Sequence, residues 1–392
     1  MALMATWILS VTDPARAQTD SSQNCPLRIS LLTCTPGSEL YSTFGHSAFR
    51  VQDSRDGSDR IFNFGTFDFN DPNFYQKFIR GKLLYFLSID AFEDFTHQYR
   101  MERRGITEQV LNLDCRQQTR LLAALTENAM EENRYYKYDF QYDNCTTRLR
   151  DLLERLLGDS LSIPALLPNR TRSFRNLIHE YLTRGGQDWS RFGIDLLLGS
   201  PLDRKVDDRS AQFLPDYLLL ALDSSRNGTQ PLVSSKTVIL ERTGSDQTAG
   251  LLTPFRVFLL LFLIIALLSF LPAAQRFLSF FDPVFFMLTG LLGWLLLFMW
   301  FFTDHQACRW NLNLAWAFPL HLIAGIRMRK YPLNNYFFVT IILLLLVFIA
   351  SLFLQQLNPA FYPIAGILLL RSIQRIRPIH RRGSPKGPAA AP

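Results

Sequence analysis

The 392-residue chain is 48% hydrophobic and only 19% charged, and the apolar residues are unevenly spread: 19–250 is a globular mix holding most of the acids, whereas 251–370 is charge-poor and rich in Leu, Phe and Ile. That split excludes a purely cytosolic enzyme, a disordered scaffold and a small disulfide-stapled toxin, and describes a soluble domain fused to a membrane domain. The net charge of +7 does not signal nucleic-acid binding, because Arg371, Arg375, Arg377, Arg381, Arg382 and Lys386 abut an apolar run, as a cytoplasmic flank does.

Residues 1–11 are a short apolar stretch without a basic start, followed by Ala15-Arg16-Ala17, a small-x-small cleavage pattern. Residues 1–17 therefore read as a secretory signal, and the mature chain is expected to begin near Gln18, outside the cytoplasm. Cys25 lacks the apolar and small residues expected before a lipidated cysteine.

Residues 44–51 and 60–65 read as two strands joined through Asp56-Gly57, a hairpin signal. That pairing sets His46 roughly opposite 64–65, with Asn63 as a near neighbour. His97 and His179 fall in amphipathic helical stretches and are expected at the surface.

From Leu149, the apolar residues Leu152, Leu153, Leu156 and Leu157 recur at the spacing of one helix face. Asp143 or Asn144 suits the N-cap, which puts Cys145 in the first turn. There the backbone N–H groups and the helix dipole favour a thiolate and offer a place for an oxyanion. His46 is the candidate base for a Cys145 nucleophile, with Asn63 orienting the ring. The competing reading makes Cys145 a small buried residue and His46 a satisfied core histidine.

Pro164, Pro168, Gly185-Gly186, Gly199, Pro201 and Pro215 break 161–223 into short helices, and 224–250 reads as a polar linker. Cys25, Cys34, Cys115 and Cys308 all lie on the oxidising side and permit three pairings, Cys34 with Cys115 being conceivable. No Cys and His spacing suggests a metal site and no glycine-rich phosphate loop is present, so neither metal nor other cofactor is expected.

Candidate spans follow at 251–271, 283–302, 310–326, 336–354 and 360–370, the third carrying Asn311, Asn313, Pro319 and His321 and the last being short. Five passes place the loops bearing Arg276 and Arg327, Arg329, Lys330, together with the tail, in the cytoplasm. The soluble domain is then outside. The expected divisions are 1–17 signal, 18–250 soluble domain, 251–371 membrane domain and 372–392 basic tail.

A strand bearing Gly45-His46-Ser47-Ala48-Phe49, followed much later by Asp143-Asn144-Cys145-Thr146-Thr147 at a helix start, resembles the circularly permuted papain-like proteins, among them the lecithin:retinol acyltransferase and NlpC-type relatives. More closely, several segments resemble the Lnb family: Tyr41-Ser42-Thr43-Phe44-Gly45-His46, Asn63-Phe64-Gly65-Thr66-Phe67-Asp68, Arg80-Gly81-Lys82, the Asn-Cys-Thr-Thr segment, Phe213-Leu214-Pro215, and the stretch from Thr303-Asp304-His305 to Asn311-Leu312-Asn313. The resemblance implies an α+β fold: a permuted papain-like periplasmic domain on a bundle of about five transmembrane helices, in the bacterial inner membrane.

It also implies N-acylation of bacterial lipoproteins through a cysteine thioester. In that scheme Cys145, His46 and Asn63 are catalytic, and Asn144, Tyr41, Asp304, His305, Asn311 and Asn313 contact substrate. A phospholipid is the acyl donor and a diacylated lipoprotein the acceptor. The alternatives are a membrane-anchored peptidase or amidase acting on cell-wall peptides, and a non-enzymatic lipid-presenting or folding module.

Overall fold

The computed structural model describes residues 25–167, 171–244 and 250–376; the expected signal segment and the basic residues from Arg377 onward lie outside them. The fold is α+β, with a sheet domain followed by a helical region. Strands β1 (Leu27–Cys34), β2 (His46–Asp53), β3 (Ser58–Thr66), β4 (Leu84–Ala91), β5 (Ile106–Leu111), β6 (Tyr135–Lys137) and β10 (Val233–Leu240) form one antiparallel sheet in the order β10-β5-β1-β2-β3-β4-β6. A small second sheet holds β7 (Leu161–Ser162), β8 (Arg226–Asn227) and β9 (Gln230–Pro231). Within the expected linker 224–250, residues 226–240 thus carry three strands. Val233–Leu240 pairs with β5 as an edge strand, mostly exposed to solvent.

Period-two alternation divides the sheet's side chains between two cores. Ile29, Leu31, Phe49, Phe62 and Phe64 face helices α3 (Cys115–Ala129), α4 (Cys145–Leu157) and α8 (Pro215–Ser224), packing on Leu121, Leu149, Leu153 and Leu218. Leu32, Ala48 and Ile61 face the other way, onto Phe95 and Tyr99 of α2 (Phe92–Met101). A short helix α1 (Phe74–Ile79) precedes β4. The cross-link is Cys25 to Cys115, with Cα atoms 5.2 Å apart, while Cys34 and Cys308 are free and buried. Cys34 cannot bridge to Cys115, because alternation turns its side chain into the α2 core.

A helical extension, α5 (Phe174–Arg184), α6 (Asp188–Leu197) and α7 (Asp208–Ala211), joins the sheet to the apolar region. That region comprises α9 (Pro254–Ser269), α10 (Gln275–Phe301), α11 (Asn313–Trp316), α12 (His321–Arg327), α13 (Asn334–Ser351) and α14 (Phe361–Arg375). By length and apolar composition α10 and α13 are long enough to cross a bilayer; α9 and α14 are shorter, at 16 and 15 residues. The expected span 310–326 is two short helices, broken where Pro319 lacks a backbone donor. Pro283 lies inside α10 instead of starting it.

The chain turns alternately at two levels. At one, residues 303–312 and 355–358 meet the extension: Gly199 N–H donates to Ala307 O at 2.8 Å, and Asn358 Nδ2 to Asp195 Oδ2 at 2.8 Å. At the other, Arg371 donates to Asp282 at 2.7 and 2.9 Å and to Ser269 Oγ at 2.8 Å. Arg371 is therefore a buried staple and not part of a solvated tail, since Asp282 amid apolar helices requires a counter-charge. α14 accordingly continues past residue 371 to Arg375.

Candidate active site

The β2 and β3 pairing runs Phe49 with Phe62 through Asp53 with Ser58, and continuing it sets His46 opposite Gly65 with Asn63 on the diagonal. His46 and Asn63 share the face that carries Ala48 and Ile61. His46 Nε2 and Asn63 Oδ1 are 2.6 Å apart. Asn63 Nδ2 in turn donates to Asp90 Oδ2 at 3.0 Å, and Ser88 Oγ donates to the same oxygen at 3.1 Å. A carboxylate only accepts, so Asp90 aims the Asn63 carbonyl at the imidazole, and Nε2 must be the donor. The lone pair of a neutral His46 then resides on Nδ1.

Cys145 is the first residue of α4, and Asn144 is its N-cap. Asn144 Oδ1 accepts from the N–H groups of Thr146 and Thr147, both at 2.8 Å, while its Nδ2 donates to Phe140 O and Phe213 O, each at 2.8 Å. Every hydrogen-bonding valence of this buried amide is thereby used inside the protein. Asn144 holds the turn that carries Cys145 in place and has no valence left for a ligand. Because the second and third N–H groups of the helix are taken, the Cys145 N–H is, among the described residues, the donor of this turn left for the expected oxyanion.

The sulfur and the imidazole meet where β3 loses its regular register, between Asn63 and Thr66. Gly65 there has φ +91, and a Cβ on it would lie 3.5 Å from Cys145 Cβ. A positive φ without a side chain lets the backbone bend past the helix start and opens the end of the sheet.

Burial pushes the Cys145 thiol up, but the neighbouring His46 charge, its hydrogen bond and the Ser47 N–H outweigh that and lower the pKa to about 7. Burial likewise disfavours a charged His46, yet attraction to Cys145, with hydrogen bonds to Cys145 and Asn63, raises its pKa above the usual value. Opposite shifts in two touching groups describe a thiolate and imidazolium pair. Cys34, whose burial outweighs the nearby Arg104 charge and a hydrogen bond from Tyr99, is pushed up to about 12.

Cys145, His46 and Asn63 line a cavity of about 1070 Å³, as do Tyr41, His305 and Phe213. Tyr41 is 70% exposed at its rim. His305 donates through Nε2 to Phe78 O at 3.1 Å, so the loop after α10 supplies part of the cavity wall. Asp304 lies beside it, its Oδ2 accepting from Lys137 Nζ at 3.0 Å.

Asn311 and Asn313 are elsewhere and buried. Asn311 Nδ2 donates to Leu196 O and Leu197 O, Asn313 Nδ2 donates to Asp195 O, and Trp316 Nε1 donates to Asn313 Oδ1. These amides cap the carbonyl end of α6 and clamp the extension to the apolar region, so they do not border the cavity. His179, expected at the surface, is buried with its Nε2 2.7 Å from Asp195 Oδ1. His97 is exposed.

Asp90 escaped the sequence reading. Its signal was present: Ser88 and Asp90 are polar at period two in a strand whose partner carries Asn63, but the pairing of β3 with β4 is nonlocal.

Among known families, the model described as the Lnb N-terminal periplasmic domain matches residues 14–180, and that described as the Lnb transmembrane domain matches residues 246–382. No curated protein and no solved structure matches the chain. The first match spans Tyr41, His46, Asn63, Asp90 and Cys145, and the second spans Asp304 and His305.

Proposed function

The chain belongs to the Lnb family, with a periplasmic domain and a transmembrane part, and from that premise we propose that it is a thiol-dependent acyltransferase that N-acylates the diacylglyceryl-cysteine of bacterial lipoproteins. The observation that carries this reading is the shared cavity: the Cys145 and His46 pair opens into a space that His305, from the end of an apolar helix, helps to wall. A peptidase would need only a tether. The division of the chain into a periplasmic domain to about residue 250 and a membrane domain beyond it, crossing the inner membrane five times, is part of the same proposal. It is supported by turns that alternate between two levels and by Arg327, Arg329 and Lys330 on the side away from the sheet domain.

In the first half-reaction the Cys145 thiolate attacks a glycerolipid ester carbonyl, and the Cys145 N–H stabilises the tetrahedral oxyanion. Collapse breaks the ester bond, and imidazolium His46 protonates the departing alkoxide through Nδ1, giving a lysolipid and a Cys145 thioester. In the second, the neutral α-amine of a diacylated lipoprotein attacks the thioester. His46 Nδ1 takes the amine proton, the C–S bond breaks, and an amide is left with the thiolate restored. Asn63 and Asp90 hold the imidazole throughout, and no metal or other cofactor enters any step. Tyr41 and His305 flank the donor and acceptor in the cavity, with Asp304 beside His305 and paired to Lys137.

The test is mass spectrometry of lipoprotein N-termini in a bacterial strain without other N-acyltransferases. Wild-type protein is expected to yield N-acylated termini and Cys145→Ala to leave them free. Unmodified termini accompanied by released muropeptides would point to an amidase, and full N-acylation by Cys145→Ala would sink the scheme.

A further inference from the structure

The cavity beside Cys145 has two unlike arms. One runs along α2 past Asp94, Gln98 and Glu102. The other is aromatic and leads away from the sulfur ring by ring. Tyr138 lies against Gly65 next to Cys145 and stacks on Tyr85, with centroids 4.5 Å apart. Tyr85 meets Phe67 edge-on at 5.3 Å, Phe67 meets Phe69 at 4.9 Å, and Phe69 meets Phe74 of α1 at 5.0 Å. Phe78, one turn along α1, stacks with Phe74 at 6.2 Å and lines the cavity alongside Phe67 and Phe69. A wall of ring faces offers little to a peptide backbone and much to a hydrocarbon chain.

The outer end of this wall faces outward: Phe69 is 68% exposed, Tyr75 75%, Phe78 50% and Ile79 47%. Adjoining apolar side chains left open in this way mark a contact with something apolar. The anchoring of α1 shows what that is. Asp304 N–H donates to Arg80 O at 2.9 Å, and Gly81, at φ +67, brings its backbone so close that a Cβ there would be 3.3 Å from both Asp304 Cβ and the His305 nitrogen. Residues 304 and 305 follow directly on α10, whose end carries Phe301 and Phe302, 64% and 70% exposed. The open face of α1 therefore continues the lipid-facing surface of an apolar helix. Lys77, Arg80 and Lys82 are interleaved with these aromatics, which suits the level of lipid phosphates.

We propose that α1 and Phe69 form a lip seated in the outer surface of the bilayer, and that the aromatic arm is the passage along which one acyl chain of a glycerolipid slides from the leaflet to Cys145. This rests on the acyl-transfer reading and adds to it the donor's route and a preference for long-chain donors presented in a membrane. The ester carbonyl reaches the sulfur while the rest of the lipid stays anchored, so no lipid has to leave the bilayer.

The test uses the full-length protein in phospholipid nanodiscs, with thioester formation at Cys145 followed by intact-protein mass spectrometry. The donors are long-chain phosphatidylethanolamine in the disc and dispersed dihexanoyl phosphatidylethanolamine. Phe69→Asp and Phe78→Asp are each expected to lower the ratio of long-chain to short-chain rates about tenfold or more, since each replaces an apolar ring along the acyl chain's route with a charge. An unchanged ratio in both variants would overturn the passage, whereas wild-type protein that forms a thioester with neither donor would overturn the acyl-transfer reading instead. A spin label on Tyr75→Cys in a Cys145→Ala background tests the lip independently: it is expected to collide more with oxygen than with a water-soluble nickel complex, and the reverse order would place α1 in water.

Discussion

His46 Nε2 lies 2.6 Å from Asn63 Oδ1, and this contact leaves Nδ1 as the nitrogen available to Cys145. The amide is held in its turn by Asp90 at 3.0 Å, so the orientation of the imidazole is set by a chain of three side chains from three consecutive strands.

Asn63→Ala is expected to lower the rate of thioester formation roughly a hundredfold while leaving the fold intact, because a freed imidazole spends little time aimed at the sulfur. Asp90→Ala is expected to cost less, roughly tenfold, since the amide can still present its oxygen part of the time. Single-turnover acylation kinetics on both variants check the order, and a larger loss for Asp90→Ala would contradict it.

The lowered Cys145 pKa predicts selective alkylation. Iodoacetamide should label Cys145 with a rate that rises with pH through about 7, where the thiol ionises, and not near 9.0. Cys34 and Cys308, both buried and pushed up to about 12, should stay unlabelled under the same conditions. In His46→Ala the imidazolium charge and its hydrogen bond are gone while burial and the Ser47 N–H remain, so the inflection should move up from about 7. Mass-resolved labelling from pH 5 to 10 measures this, and an inflection still near 7 in His46→Ala would refute the pairing.

Asn144→Ala should destabilise the sheet domain by about 2–4 kcal/mol, combining a lost cap with buried N–H and C=O groups left unpaired. Chemical denaturation of the detergent-solubilised protein reads the loss. Asn144→Asp keeps the cap acceptor but presents an acceptor to Phe140 O and Phe213 O, so it should recover little of the stability.

Reduction of the Cys25 to Cys115 bridge, which joins residues 90 apart, should lower stability by about 2–5 kcal/mol. The melting temperature should fall in reductant and in Cys25→Ser alike. A Cys34→Ser variant should keep the bridge, and peptide mapping without reduction would reveal any other pairing.

Asp195 accepts from Arg175 at 2.8 Å and from Asn358 at 2.8 Å, and lies 2.7 Å from His179 Nε2, all of it buried. Removing the carboxylate takes from Arg175 one of its two acidic partners, the other being Asp203, leaves His179 Nε2 without its acceptor, and unhooks the extension from the 355–358 turn. Asp195→Ala is therefore expected to cost about 3–5 kcal/mol and to raise protease sensitivity near residues 185–200. Limited proteolysis in detergent checks it.

The sequence by itself determined what depends on neighbours along the chain. The hydropathy split separated the sheet domain from the apolar region, the alternation around Asp56-Gly57 placed His46 and Asn63 on one sheet face, and the leucine spacing after Asn144 put Cys145 at a helix start. These follow from strand and helix periods, which are local. Only the tertiary structure decided how distant segments share their hydrogen-bonding capacity. It brought Asp90 to Asn63, used up Asn144 within the helix cap, turned Asn311 and Asn313 into clamps on α6, paired Cys25 with Cys115, and drew His179 inward to Asp195. The reason is that a buried polar group must find a partner wherever the packed chain offers one, and sequence spacing carries no record of which distant segment that will be.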